Sequence, residues 1–426
     1  MRQLLRIPYA IAGAVAQGLT YIVPEGESKL QRGLVARRGI LRRYRRWSDT
    51  HRDMSRPLAW FHAPSVGEGL QALPVIQLLR ARRPEVQIAY THYSPSAESF
   101  ARATGADFTD YLPFDTFGAA DAAIASLRPT VLIFSKLDVW PALTETAAAN
   151  GTRIGLISAT LPQSSGRRST LARHALADAY RAIDRVGAIS ETDAARLREQ
   201  GVAADRIGVT GDTRYDQVWS RARATPPARV ESLRSSTPTL VAGSTWPADE
   251  TRLLPAWIEL RKSIPRARLM IAPHELSHEH LGGIADWARS NALRLARTSS
   301  YKEGESDVVL VDQYGILGDL YALADVAYVG GGFHSAGLHS VLEPAAFGAP
   351  VIFGPNYEKS REAATLLECG GGHAANSVSE LALALTTLFT SRDARDSAAT
   401  AARGMVERGL GAAERSYQLV RELLGS

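Results

Sequence analysis

The most chemically suggestive stretch of this 426-residue chain is WFHAPSVGEG, residues 60–69, where a carboxylate follows a small loop. The apolar run Leu58–Phe61 ends in polar residues, and Pro64 and two glycines flank Ser65 and Val66. Glu68 then opens a segment whose leucines and isoleucines recur at helical spacing, which predicts strand, tight loop and helix. In an open α/β sheet such a loop lies at the carboxyl end of a strand, where ligands bind. Glu68 is therefore either a site residue or a first-turn glutamate that complements the helix dipole.

A second group of candidate residues lies in loops that follow apolar runs in the second half of the chain. Glycines at 330–332 let a ligand approach the backbone closely, and Ser340 is predicted to cap a helix whose free N–H groups favour a phosphate. One turn on, Glu343 is placed to accept hydrogen bonds from a ribose diol. The predicted nucleotide-binding residues are Gly243, Ser244, Pro273, His274, Gly315, Ile316, Leu317, His339, Ser340, Val341, Leu342 and Glu343.

Two histidine patterns in this half have simpler interpretations. His339 and Glu343, four residues apart, could form a metal pair, but no third ligand lies nearby in the sequence, so no metal is expected. The pattern around His278 and His280 predicts a solvated helix face.

The elements that must position these loops alternate short apolar runs with helical patterns, which is typical of parallel sheets covered on both faces. Two Rossmann-like domains facing a central cleft, the GT-B architecture of many glycosyltransferases, are therefore the predicted α/β fold. The predicted domains are residues 25–219 and 239–426, joined by a Pro- and Arg-rich linker at 220–238. The last predicted helix either stays with the second domain or returns to the first. Strands are predicted at 58–63, 86–92, 130–134, 153–158, 184–190, 206–211, 239–244, 267–272, 307–312, 325–331 and 349–354.

Composition and the amino terminus indicate an anionic surface as a partner. The formal net charge is +5, and the single cysteine, Cys369, excludes an internal disulfide framework. Residues 7–23 carry no formal charge, and residues 1–24 are a possible membrane anchor, spanning or interfacial. Nine basic residues between 29 and 52 would be attracted to anionic headgroups. Nucleic acid is not expected as a partner, because only Tyr44 and Trp47 interleave with these cations.

Several motifs in order resemble the 3-deoxy-D-manno-octulosonic acid (Kdo) transferase family. They are FHAPSVGE (61–68), PFD (113–115), LDVWP (137–141), ISATL (157–161), GDTRYD (211–216), GST (243–245), YALADVAYVGG (321–331) and LHSVLEPAAFGAPVIFGP (338–355). The resemblance runs from about Lys29 to Gly372. It implies an inverting glycosyltransferase that moves Kdo from CMP-Kdo to a lipid A precursor in lipopolysaccharide biosynthesis. It also implies an anchor at the cytoplasmic face of the inner membrane and no metal or other cofactor.

The resemblance implies roles for four residues of the first half. Glu68 matches the general base of the family, and Asp138 matches an acid of its ETELWP motif. Lys136 stands where the first acid of that motif is usual, and Arg214 stands where the family has a lysine. CMP is expected at Pro273-His274, Gly315–Leu317 and Ser340–Glu343.

Further departures cluster in the second half. His274, Ala336 and Ser340 replace usual arginine and asparagine positions, and Trp246 replaces a histidine. Two alternatives therefore stay open: a divergent GT-B transferase that uses another nucleotide sugar, and a catalytically weak nucleotide-binding paralogue at the membrane.

Overall fold

The computed structural model describes residues 3–26, 28–163, 165–301 and 306–425. They divide into two compact units, one within Met1–Gln217 and Leu410–Ser426 and the other within Val218–Gly409. Each unit is built around a parallel β-sheet with helices, so the two-domain α/β prediction is confirmed.

In the first unit, the sheet found in the described residues has seven strands in the order β3-β2-β1-β4-β5-β6-β7. Strands β1, β2 and β4 are buried along their whole length, as expected where helices cover both faces. The order of the strands reverses between β1 and β4, which are direct neighbours. The strands are β1 (Leu58–His62), β2 (Gln87–His92), β3 (Phe108–Tyr111), β4 (Val131–Ser135), β5 (Arg153–Ala159), β6 (Arg185–Ala188) and β7 (Ile207–Val209).

The helices of this unit connect the strands or precede the sheet. They are α1 (Gln3–Ile22), α2 (Lys29–Val35), α3 (Ile40–His51), α4 (Val66–Arg82), α5 (Glu98–Ala103), α6 (Phe117–Leu127), α7 (Pro141–Ala149), α8 (Thr170–Arg181) and α9 (Glu191–Gln200). A further helix, α10 (Arg214–Arg223), contains the boundary between the two units. The segment predicted as a linker therefore includes the end of α10 and the short helix α11 (Ala228–Glu231).

The second unit repeats this design, with seven strands in the order β10-β11-β9-β8-β12-β13-β14 among its described residues. Here the order reverses between β8 and β12. The strands are β8 (Thr239–Thr245), β9 (Arg268–Pro273), β10 (Leu295–Arg297), β11 (Val308–Leu310), β12 (Val326–Val329), β13 (Val351–Phe353) and β14 (Gly372–Ala374). The helices are α12 (Pro247–Ser263), α13 (His278–Ser290), α14 (Leu317–Leu320), α15 (Leu342–Phe347), α16 (Arg361–Glu368), α17 (Val378–Thr390) and α18 (Arg392–Arg408).

The last helix, α19 (Ala412–Leu424), belongs to the first unit, so the second unit ends at Gly409 rather than at residue 426. The physical reason is its apolar face, which packs into the same hydrophobic cluster as β1 and β4 and includes Tyr417, Val420 and Leu423. Asp216 also holds α19 on the first unit, because its carboxylate accepts hydrogen bonds from the backbone N–H groups at the start of this helix.

The amino-terminal helix α1 packs on the first unit through one face. Arg38 donates to the carbonyl oxygens of Thr20, at 2.7 Å, and Val23. Across the part of the chain that the structure describes, no helix is both long enough and apolar enough to span a bilayer. Four of the nine basic residues predicted to face a membrane are instead bound within the protein. These are Arg37, Arg38, Arg43 and Arg52.

Candidate functional site

Glu68, the carboxylate predicted to act in the first unit, lies at the topological switch point of the sheet, where the strand order reverses between β1 and β4. Glu68 follows β1 in the first turn of α4, and Lys136 follows β4, the neighbouring strand on the other side of the reversal. Loops at the carboxyl ends of such strands diverge and leave room for a ligand. The fold therefore brings Glu68 and Lys136 together although 68 residues separate them, with the Lys136 Nζ 2.9 Å from the Glu68 Oε1.

Other loops hold the start of α4 in place. The hydroxyl of Ser135 donates to the backbone carbonyl of Glu68 at 2.9 Å, and Thr213 donates to the carbonyl of Gln71 at 2.6 Å. The side chain of Gln71 in turn donates to Asp212. Because these partners come from separate loops at one edge of the sheet, the carboxylate is carried by a rigid turn of helix.

Both carboxylate oxygens of Glu68 are engaged. Ser65 and Glu68 occupy capping-box positions, but the Ser65 hydroxyl donates to the carboxylate instead of accepting from the backbone. Burial favours the neutral acid, yet the Ser65 hydroxyl and the Lys136 ammonium outweigh burial and hold the pKa of Glu68 below its ordinary value. Glu68 is therefore an anion at neutral pH. Lys136 itself has a left-handed backbone, with φ of 67°, which is uncommon for a residue other than glycine.

Asp138 has the opposite electrostatic environment. Burial raises its pKa above the ordinary value, and the negative charge of Glu68 adds to this, although Arg167 opposes it from 3.0 Å. Two nearby carboxylates whose pKa values are moved apart are typical of sites that handle protons. Arg167 contributes to this arrangement, and its place in the sequence, 29 residues after Asp138, gave no signal of it.

Arg214, which the sequence predicted to act with these residues, lies against Asp212. Its guanidinium donates to one Asp212 oxygen at 2.6 Å and 2.9 Å, and its backbone N–H donates to the other. Asp212 is buried, and Arg214 and Gln71 hold its pKa below the ordinary value against the effect of burial. In this arrangement Arg214 stabilises the loop that supports α4, and Asp212 connects it to the helix of Glu68.

The predicted nucleotide loops of the second unit meet at the switch point between β8 and β12. Gly243 and Gly330 show how closely they approach, because the Gly330 N–H donates to the Gly243 carbonyl at 2.8 Å. A Cβ on Gly330 would lie 2.2 Å from the Ser244 carbonyl oxygen, and one on Gly243 would lie 2.8 Å from Leu317. The end of β8 is therefore in contact with the segments that follow β11 and β12.

A stack of four aromatic rings lines these strand ends. Trp246 lies between His334, at 4.0 Å between ring centroids, and His274, at 4.4 Å. His274 also stacks on His339, with 4.6 Å between ring centroids. The Trp246 indole donates to the Nε2 of His339 at 3.1 Å, so that nitrogen is unprotonated. Burial and the neighbouring His274 lower the pKa of His339 to about 4, in agreement with this geometry. We refer to Trp246, His274, His334 and His339 as the aromatic stack.

The helix that follows the stack begins later than expected. Val341 is the N-terminal cap of α15, without a side-chain hydrogen bond, so the prediction that Ser340 caps this helix is wrong. Glu343 faces Arg221 at 3.5 Å, and Arg221 also pairs with Asp319 at 2.7 Å. Burial raises the pKa of Glu343, with Arg221 opposing and Asp319 adding to the effect. Arg221, which lies within the predicted linker, was missed from the sequence.

His280 was predicted to be solvated and is instead largely buried. Its Nε2 lies 2.9 Å from both oxygens of Glu250, and the Thr245 hydroxyl donates to the same carboxylate at 2.7 Å. This network connects the end of β8 with α13. The five-residue spacing of Thr245 and Glu250 is a weak signal that could have suggested the contact. Within the described ranges, no three or more histidine, cysteine or acidic side chains are arranged to hold a metal ion.

Comparison with known proteins relates these sites to one family. Residues 36–217 match the family model described as 3-deoxy-D-manno-octulosonic-acid transferase (kdotransferase). The 3-deoxy-D-manno-octulosonic acid transferase of Bordetella pertussis is 30% identical over 385 residues, which cover 87% of this chain and 89% of that protein. The enzyme of the same description from Haemophilus influenzae is 26% identical over 375 residues, covering 86% and 87%.

Solved structures share the fold at lower sequence identity. UDP-GlcNAc 2-epimerase from Neisseria meningitidis bound to UDP-GlcNAc matches with a TM-score of 0.64 and 16% identity. The match covers 87% of this chain and 99% of the epimerase. At this identity the likeness concerns the arrangement of helices and strands alone.

Proposed function

This chain belongs to the 3-deoxy-D-manno-octulosonic acid (Kdo) transferase family, and we propose that it transfers Kdo from CMP-Kdo to a lipid A precursor with inversion, using Glu68 as general base. The chain is a glycosyltransferase of lipopolysaccharide biosynthesis. The observation that carries the finer proposal is the position of Glu68, ionised and held at the switch point by Ser65, Lys136 and the rigid start of α4.

The role of Glu68 follows from what inversion requires. The acceptor hydroxyl must lose a proton as it attacks the anomeric carbon, and a positioned carboxylate can take it. Glu68 is an anion at neutral pH, and its side chain is 14% exposed, so it is partly shielded from water yet not enclosed. Lys136 must move from the carboxylate for the hydroxyl to approach. At 41% exposure the lysine side chain has room to do so.

The donor role of the second unit rests on the converging loops at its switch point. The exposed residue His274 follows β9, beside the ends of β8 and β12, and ligands bind at such strand ends. Glu343 supports the same role, because a partly buried carboxyl is suited to bind hydroxyl groups of a sugar. The chemistry requires no metal, since CMP leaves with a phosphate that N–H groups and cations can stabilise.

The lipid acceptor and the membrane location are supported by the surface of the first unit. On α1, Ile11, Val15, Leu19 and Ile22 are 59%, 57%, 43% and 79% exposed and recur along one face of the helix. Exposed basic residues follow on α2 and α3, and these are Lys29, Arg32, Arg42, Arg45 and Arg46. Apolar and cationic surfaces together favour an anionic bilayer, and we assign the protein to the cytoplasmic face of the inner membrane.

A second candidate is a catalytically weak paralogue that retains nucleotide binding. The contact between Lys136 and Glu68 favours it, because a cation at 2.9 Å lowers the basicity of the carboxylate. A transferase with a different nucleotide sugar is the third alternative, and the choice of donor tests it.

The deciding experiment is incubation of the full chain with CMP-Kdo and a tetra-acylated lipid A precursor, followed by mass spectrometry of the lipid. We expect Kdo addition with CMP-Kdo and none with UDP-sugars. Glu68→Gln should reduce the rate by about 10²- to 10⁴-fold. The matched control is Glu85→Gln, at an exposed glutamate of the same unit, which should leave the rate unchanged. Full activity of Glu68→Gln would remove the base assignment, and CMP-Kdo binding without transfer would support the paralogue.

A further inference from the structure

Helix α1 is fixed to the first unit along one face and exposes apolar side chains along the other. The Tyr9 hydroxyl donates to the Asp115 Oδ2 at 2.6 Å. One turn later, Gly13 approaches the loop so closely that a Cβ would lie 2.3 Å from the Thr116 Cγ2. Helical spacing places Tyr9 and Gly13 on one face. The opposite face carries the exposed stripe of Ile11, Val15, Leu19 and Ile22.

The carboxylate that Tyr9 contacts also caps a second helix. Asp115 accepts hydrogen bonds from the backbone N–H groups of Ala142, at 3.0 Å, and Leu143, at 2.8 Å, in the first turn of α7. Burial raises the pKa of Asp115, and the Tyr9 hydroxyl and the two amides act against burial. Burial and Asp115 also raise the pKa of Tyr9, so its hydroxyl keeps its proton and remains a donor. Tyr9 is thus part of the cap of α7.

The start of α7 ends the loop that contains the partner of Glu68. We refer to residues 136–140 as the acceptor loop. Two contacts support this loop. Trp140 stacks on Tyr93, with 5.1 Å between ring centroids, and the Asp138 carboxylate pairs with Arg167 at 3.0 Å. A shift of α1 therefore reaches the acceptor loop through Asp115 and the start of α7.

We propose that Tyr9 is a positioning residue that couples the seating of α1 on a phospholipid surface to the geometry of the acceptor loop. One face of α1 binds lipid. The other face carries Tyr9, whose hydroxyl donates to Asp115 and thereby fixes α7, the helix that begins where the acceptor loop ends. The kinetic readout of this coupling rests on the proposed function. The structural readout does not.

The kinetic test uses the full chain, CMP-Kdo and acceptor lipid in vesicles of phosphatidylethanolamine and phosphatidylglycerol. Tyr9→Phe removes only the hydroxyl, and we expect kcat to fall by about tenfold because a partly buried, charge-assisted hydrogen bond is lost. The KM for CMP-Kdo and co-sedimentation with vesicles should stay within about twofold of wild type, since the lipid face is intact. Tyr21→Phe is the matched control, because Tyr21 lies on α1 and is 67% exposed.

The structural test is amide hydrogen exchange of residues 141–145, which include the two N–H groups bound to Asp115. Vesicles should slow this exchange in the wild type and in Tyr21→Phe but not in Tyr9→Phe. Unchanged kcat in Tyr9→Phe, equal protection in all three proteins, or a loss of vesicle binding parallel to the loss of kcat would each overturn the proposal. A wild type that transfers no Kdo but shows the exchange difference would refute the proposed function and leave the coupling intact.

Discussion

Replacing Lys136 with methionine should make Glu68 a stronger base. The side chain keeps its length but loses its charge. At the observed 2.9 Å, Coulomb's law gives about 6 kcal/mol at an effective dielectric constant of about 20 and about 1.4 kcal/mol at about 80. Since the Lys136 side chain is 41% exposed, solvent screens the pair and the lower figure applies.

The expected result is a change in the pH–rate profile. About 1.4 kcal/mol corresponds to tenfold in basicity, and if half of this is expressed in the transition state the plateau rate rises about threefold. The pKa of Glu68, held low by Ser65 and Lys136 against burial, should rise when the cation is removed. The carboxylate is then protonated sooner as the pH falls, so the acid limb of the profile should move to higher pH.

The assay is transfer of Kdo from saturating CMP-Kdo to lipid acceptor, measured from pH 4 to pH 9. Lys136→Arg is the control, because it keeps the positive charge and should keep the position of the acid limb. A tenfold fall of the plateau in Lys136→Met would mean that the ammonium acts on a substrate. An acid limb in the same place would show that Glu68 is not the group that titrates.

Three further predictions concern other parts of the chain. His274→Arg should tighten the binding of CMP to the full chain by about tenfold at pH 7.5, because a permanent cation that can stack on Trp246 replaces an imidazole. Titration calorimetry measures this affinity, and His278→Arg, at an exposed histidine, is the control. Leu423→Ala should lower the free energy of unfolding of the first unit by about 2–5 kcal/mol, because this side chain of α19 is 4% exposed. Urea unfolding measures this, with Leu171→Ala at an exposed leucine as the control. Equal stability of the two variants would contradict the packing argument. Arg221→Met should destabilise the second unit by about 1–2 kcal/mol near pH 8, a figure reduced for solvent screening, and by less near pH 4.5. The sign follows because the pKa of Glu343 is raised in the folded state and rises further without the cation, so stability is lost as the pH increases through that range.

The sheets could be predicted from the sequence wherever a strand has a full apolar run. Strands such as β1, β4 and β8 were placed within one or two residues, because burial of nearly every residue produces a continuous apolar segment. The edge strands β3, β10 and β14 were missed, since they have only three or four residues and are partly exposed. The return of α19 to the first unit could not be derived, because an amphipathic pattern predicts an apolar face and not the surface that the face covers.

The positions of the site loops could be predicted from the sequence better than the side-chain contacts between them. Glu68 and the nucleotide loops lie at the carboxyl ends of strands, as the alternation of elements implied. The contact between Glu68 and Lys136 depends on strand order, which places β1 beside β4, and no local pattern contains that order. Arg167, Arg221 and His280 were missed for the same reason, because each acts through a partner that is distant in the sequence.

The electrostatics of Glu68 have a consequence for the working range of the proposed reaction. A general base is most effective when its pKa is close to the operating pH, and Ser65 and Lys136 move the pKa of Glu68 in the other direction. The same contacts keep the carboxylate ionised as the medium becomes acidic, whereas Asp138 nearby is protonated earlier because its pKa is raised. This arrangement therefore lowers the rate at neutral pH and extends activity toward acid. A broad acid shoulder in the wild type that narrows in Lys136→Met is the pattern that this argument requires, and a wild-type optimum confined to alkaline pH would contradict it.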